Sequence, residues 1–152
     1  MELEEFAVNP KLYEDGKKIP LGKDCYIRLR SAGSTHAQKV RERLWKPYAT
    51  WEEIPQDILD GLNAQWVAEG LLTEFVGFTI DGKPLTVDLG KADDQNRLAK
   101  VFGKPEYKAV ARRFIRMSFE DKQFQDEGDE VLEKNSGRSR AGSSSGASTQ
   151  SE

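Results

Sequence analysis

Residues 71–102, LLTEFVGFTIDGKPLTVDLGKADDQNRLAKVF, decide how the rest of the chain is organised. They read as the end of a helix, a short apolar segment, an Asp81-Gly82 turn, a second short segment and the start of a new helix. Asp-Gly is a strong turn signal because glycine takes up positive φ without steric cost. Lys83-Pro84 then keeps the chain extended, since the residue before a proline is pushed out of the α region. Phe75, Val76, Phe78 and Ile80 precede the turn and Leu85, Val87 and Leu89 follow it, so both arms carry apolar groups. Helical patterns lie on either side, and the stretch is expected to be the junction against which they pack.

Upstream, Met1 to Pro10 reads as a flexible arm, and a β segment is expected over residues 11–31. It comprises Leu12-Tyr13, an Asp15-Gly16 turn, Ile19 to Leu21, a Gly22-Lys23-Asp24 turn and Cys25 to Arg30. In the last piece Cys25, Ile27 and Leu29 alternate with Tyr26, Arg28 and Arg30, the period of two that a half-buried strand needs. Two or three strands are marginal alone, so this antiparallel hairpin or meander is expected to rest its buried face on a helix.

The rest, residues 35–134, reads as helical. Ser34 or Thr35 is a candidate N-cap, and Ala37, Val40 and Leu44 recur at helical spacing until Lys46-Pro47 ends the run. Pro55 suits the first turn of the next helix, where its missing N–H costs nothing. Ile54, Ile58, Leu62 and Trp66, with Leu59, Val67 and Leu71 beside them, trace its apolar stripe. Asp93 and Asp94 suit the positive end of a third helix, which carries Leu98, Val101 and Phe102 and stops at Gly103. Pro105 is expected to start a fourth, with Tyr107, Val110, Ala111, Phe114, Met117 and Ser118 on one face and Lys108, Arg112, Arg113 and Arg116 on the other. A short acidic helix is expected from about Gln125 to Lys134. The final stretch, 135–152, is dominated by serine and glycine and has no large apolar residue, so it is expected to be disordered. The fold class is therefore α+β and mainly helical, one domain over 11–134 with an N-terminal β-hairpin or meander packed on helices.

Composition narrows the function. The apolar fraction of 37% approaches the usual roughly 45–50% once the 13 glycines are added, enough for a modest core. A net charge of −3 with mixed signs argues against nucleic acid as the main partner. No apolar run nears a membrane span, and the acidic start MELEEF is unlike a signal peptide, so no membrane association is expected. The one cysteine, Cys25, excludes an internal disulfide and fits a reducing compartment.

Candidates for chemistry all have simpler readings. His36 is the only histidine, so a metal site around it would be almost all carboxylate. Cys25 falls on the apolar face of a strand, where thiols are usually inert. Asp93-Asp94 and Glu52-Glu53 are accounted for by helix-start electrostatics. There is no phosphate loop, dinucleotide fingerprint or nucleophile elbow, and no catalytic residue, cofactor or metal is expected. Trp45, Tyr48 and Trp51 stand together near helix ends and are of the residue types enriched at protein interfaces. They are the candidate partner-binding residues.

Four segments taken in order carry a resemblance: GKKIPLGKDCYIRLR (16–30), VRERLWKPY (40–48), IDGKPLTVD (80–88) and FQDEGDEVLEKNS (124–136). Together they resemble the tail assembly chaperones of long-tailed bacteriophages. In that family a short β segment precedes a basic helix ending in a Lys-Pro-Tyr-like sequence. A second helix, an apolar stretch, an Asp-Gly-Lys-Pro-Leu-like turn and an acidic, Phe-containing helix follow. The resemblance spans roughly residues 11 to 136. The chain departs from it at EFVGFTI (74–80), where family members often carry a tryptophan. It implies a non-enzymatic protein of the host cytoplasm, made late, that binds the tape measure protein, helps major tail tube protein subunits polymerise around it, self-associates in some cases and is absent from the mature virion. The alternative is a minor structural tail or head-tail connector protein.

Overall fold

The computed structural model of the protein describes residues 2–125. Residues 8–124 form one compact body; residues 2–7 and 125 belong to a second unit, in which Leu3–Phe6 make a single 3-10 turn. The expected acidic helix, apart from Gln125, and the expected disordered tail at 135–152 lie outside the described residues.

The fold is α+β and mostly helical, with one three-stranded antiparallel sheet and one two-stranded ribbon. Its body begins with helix α1, Pro10–Asp15, where a strand at Leu12-Tyr13 was expected. The reason is local. Asn9 caps the helix by accepting the Lys11 N–H at 2.9 Å, and Pro10 occupies the first helical position, where its fixed φ suits the turn. Residues 9 and 10 are therefore tied to the body instead of forming the end of a loose arm, and the Asn9 N–H also donates to the carbonyl of Phe124.

Strands β1 (Lys17–Pro20) and β2 (Tyr26–Leu29) pair antiparallel with Ile19 opposite Ile27, the hairpin expected from the alternation. Ile27 and Leu29 are fully buried while Tyr26 and Arg28 are half-exposed. Helix α2 runs Thr35–Trp45, capped by the Ser34 hydroxyl accepting the Ala37 N–H, and passes into a 3-10 turn at Lys46–Tyr48. Helix α3 runs Gln56–Trp66 and widens into a π turn over Val67–Leu71. That turn buries Val67, Ala68, Gly70 and Leu71 at once. Gly70 is where α2 comes closest: a Cβ there would lie 2.7 Å from the Trp66 ring and 3.3 Å from Val40.

The apolar segment after the π turn is strand β3, Leu72–Val76, which joins the N-terminal hairpin at β2 and completes a β1-β2-β3 sheet. A register shift between Arg28 and Leu29 breaks its alternation, so Leu72 and Phe75 face the core and Val76 is exposed. Strands β4 (Thr79–Ile80) and β5 (Lys83–Pro84) form the ribbon closed by Asp81-Gly82. With φ of 52° and 77° the two residues make the type I′ turn that suits strand twist. Before it, Gly77 has φ 89° and abuts the Asp24 carbonyl, which would lie 2.1 Å from a Cβ.

Helix α4 spans Ala92–Phe102 and α5 spans Lys108–Ser118. Asp93 and Asp94 lie in the first turn of α4 as expected, whereas Pro105 belongs to the turns before α5 and not to its start. Phe75 and Phe78 are stacked at 4.0 Å between ring centroids, Phe75 meets the edge of Phe102 at 5.8 Å, and Phe102 meets Phe114 at 6.0 Å. This row of rings ties sheet, ribbon, α4 and α5 into one core, and so confirms residues 71–102 as the junction.

Candidate partner-binding surface

The chain leaves α2 through a Lys46-Pro47 step, and that break decides what its aromatic residues can do. Trp45, still on the helix, is half-buried and meets the edge of Trp66 at 6.2 Å. Trp66 is 2% exposed, and its indole N–H donates to the Ala37 carbonyl at 2.9 Å. The Arg41 guanidinium lies 4.5 Å from the Trp45 ring centroid and 5.5 Å from that of Trp66, a geometry in which a cation is drawn to the ring face. Trp45 is thus the outer rim of the core.

Past the break, the 3-10 turn and the bend after it set Tyr48 and Trp51 against each other, rings edge to face at 4.9 Å. The Trp51 N–H donates to the Tyr48 carbonyl at 3.0 Å, which fixes the spacing of the pair. Trp51 stays 47% exposed. An indole held rigid and open to water costs little entropy when a partner covers it, which makes the pair a fit anchor. The three sequence candidates therefore divide: Trp45 packs against the core, while the half-buried Tyr48 and the exposed Trp51 pair with each other past the helix end.

Phe119, just past α5, is 63% exposed, with its ring 6.3 Å from Trp66. It is not among the partner-binding candidates that the residue pattern offers. The available signal was its position one residue beyond the Phe114–Ser118 stripe, past the end of α5.

The remaining candidates have structural partners. His36 Nε2 lies 3.1 Å from the Glu69 carbonyl, so the neutral ring donates there. Partial desolvation, then the cations Arg30, Arg43 and Lys39, hold the imidazole below its ordinary value and favour that neutral form. Cys25 is half-buried beside Gly22. Asp94 accepts the Asp88 backbone N–H at 2.7 Å, which with the Arg97 pair keeps its carboxyl below the usual range and ties the loop to α4. Glu74 accepts from Arg28 and from the Tyr26 hydroxyl across the sheet, and both bonds lower its pKa. On the basic face of α5, Lys108 and Arg112 both reach Asp60 of α3, at 3.2 and 3.8 Å, while Arg113 and Arg116 have no carboxylate partner among the described residues.

Among the described residues no group of three or more His, Cys, Asp or Glu could hold a metal ion, and no helix is long and apolar enough to cross a membrane. The chain matches no family model, no curated protein and no solved structure.

Proposed function

We propose that this protein is a tail assembly chaperone of a long-tailed bacteriophage. It acts in the host cytoplasm, binds the tape measure protein and helps tail tube subunits polymerise around it. The observation that carries this reading is the Tyr48–Trp51 pair, a half-buried tyrosine set edge to face against an exposed tryptophan just past the end of α2. It lies within and just beyond the VRERLWKPY segment of the resemblance. A tape measure protein is long, helical and apolar along one face, and would aggregate before assembly. A compact partner that covers this face reversibly through a few aromatic anchors, as in helix-in-groove recognition, keeps it available to the growing tube.

The test is co-expression of the tape measure protein with the wild-type chain and with a Tyr48→Ala, Trp51→Ala double variant. Trp45 is left intact, because its contact with Trp66 would mix lost binding with lost stability. A soluble complex that forms with the wild type and fails with a variant of unchanged melting temperature supports the proposal. Equal recovery of complex overturns the surface assignment, and abundant copies of the chain in purified virions favour a structural tail protein instead.

A further inference from the structure

A cavity of about 300 Å³ opens between the β4–β5 ribbon and the α4–α5 pair, with Phe75, Phe78, Leu85, Val101 and Val110 among its walls. This volume lies at the low end for ligand sites, too small for a large cofactor and suited to one or two apolar side chains. Arg113 stands on its lining and also borders the next depression along α5, shared with Arg116, Met117 and Phe119. The two depressions share Arg113, and Val110, Arg113 and Met117 follow one another at helical spacing, so both lie along the same side of α5 over about two turns. This strip is mostly apolar in the cavity, sets Met117 and Phe119 among charged groups beyond it, and carries two arginines without a carboxylate partner among the described residues. One carboxylate, Glu120, lies at its far end.

We infer that this strip docks an acidic amphipathic helix of a partner protein, with one large apolar side chain in the cavity and carboxylates on Arg113 and Arg116. A small amphipathic acid would be satisfied by the cavity and one arginine. The apolar surface instead continues past Arg113 to Met117 and to Phe119, whose side chain is left open, and only a longer ligand uses that length. Nucleic acid is a poor match, because the lining is apolar and the adjoining cations Lys108 and Arg112 are engaged by Asp60. The inference concerns a surface separate from Tyr48 and Trp51, and it goes beyond the proposed function without depending on it.

The experiment titrates the full chain into a labelled 18-residue helical peptide with leucines every three or four positions flanked by glutamates, and into the same peptide with lysines for glutamates, by fluorescence anisotropy. The glutamate peptide is expected to bind at about 10–100 μM and the lysine peptide at least about tenfold more weakly, with the difference shrinking at high salt. Arg113→Glu, an exposed change, should invert this preference. Methyl resonances of Val101 and Val110 should move during the wild-type titration, which locates the site without any variant. The Tyr48→Ala, Trp51→Ala variant should bind the glutamate peptide as the wild type does, so that this inference and the proposed function fail separately. No binding up to about 1 mM, equal affinity for both peptides, an unchanged preference in a folded Arg113→Glu variant, or methyl shifts confined to other residues would overturn the inference.

Discussion

Replacing Trp66 tests the architecture most severely, because its ring joins three helical elements. It is 2% exposed, donates to the Ala37 carbonyl on α2, and meets Trp45 and Phe119 edge to face. The π turn presses Gly70 against it, so the backbone around the ring cannot close in freely. Trp66→Ala leaves a cavity, and a buried aromatic truncated to alanine costs about 3–5 kcal/mol. The two edge contacts place this site at the upper end of that range. Trp66→Phe keeps most of the buried area and loses the hydrogen bond. By helix geometry the Ala37 carbonyl retains the Arg41 N–H, so its loss is about 0.5–1.5 kcal/mol. Since a domain is held by roughly 5–15 kcal/mol, the alanine variant should lose a large share of its cooperative melt, shifted down by about 15 °C or more, against about 5 °C for phenylalanine. Urea unfolding followed by far-UV circular dichroism measures both. A cost below about 1 kcal/mol for alanine, or equal costs for the two variants, would refute the assignment of Trp66 to the core.

Other outcomes follow from the same contacts. Gly77→Ala should destabilise more than Gly82→Ala in the same unfolding assay, because a Cβ at 77 meets the Asp24 carbonyl whereas nothing lies within 4 Å of one at 82 and only its φ of 77° opposes the change. Glu74 has a folded pKa below its ordinary 4.5, so its contribution is present above that value and is lost as pH falls through the folded one; Glu74→Gln should flatten the decline of melting temperature on the acid side. Under the proposed function, Cys25→Ser and His36→Gln should leave binding of the tape measure protein intact with at most a modest loss of stability, whereas a folded but inactive variant at either position would contradict a binding role.

The four longer helices and their faces were legible in the sequence because each carries a clear apolar period. Val40, Leu62, Trp66, Leu98 and Phe114 all fall on the predicted stripes and all are buried. The Asp81-Gly82 turn was legible because its chemistry is local. Leu12-Tyr13 misled, since a short apolar pair has no period of its own and the Asn9-Pro10 start decided the matter from outside it. The pairing of β3 with β2 spans more than forty residues, and the register shift at Arg28 and Leu29 blurs the alternation that would have announced it. Among Trp45, Tyr48 and Trp51, sequence supplied the residue types but not the direction of each ring, which depends on where the Lys46-Pro47 break falls. Phe119 and the cavity beside Arg113 depend on which surfaces α4, α5 and the ribbon leave uncovered, and no single segment encodes that.

The central claim is that the Tyr48–Trp51 pair holds the tape measure protein. Its most direct test is isothermal titration of a tape measure fragment with the wild-type chain and the Tyr48→Ala, Trp51→Ala variant, with both melts recorded. Aromatic residues that anchor an interface cost about 2 kcal/mol or more on truncation, so if the pair is such an anchor the account predicts an affinity at least about thirtyfold weaker at an unchanged melting temperature. An affinity within about twofold of the wild type in the folded variant would contradict it.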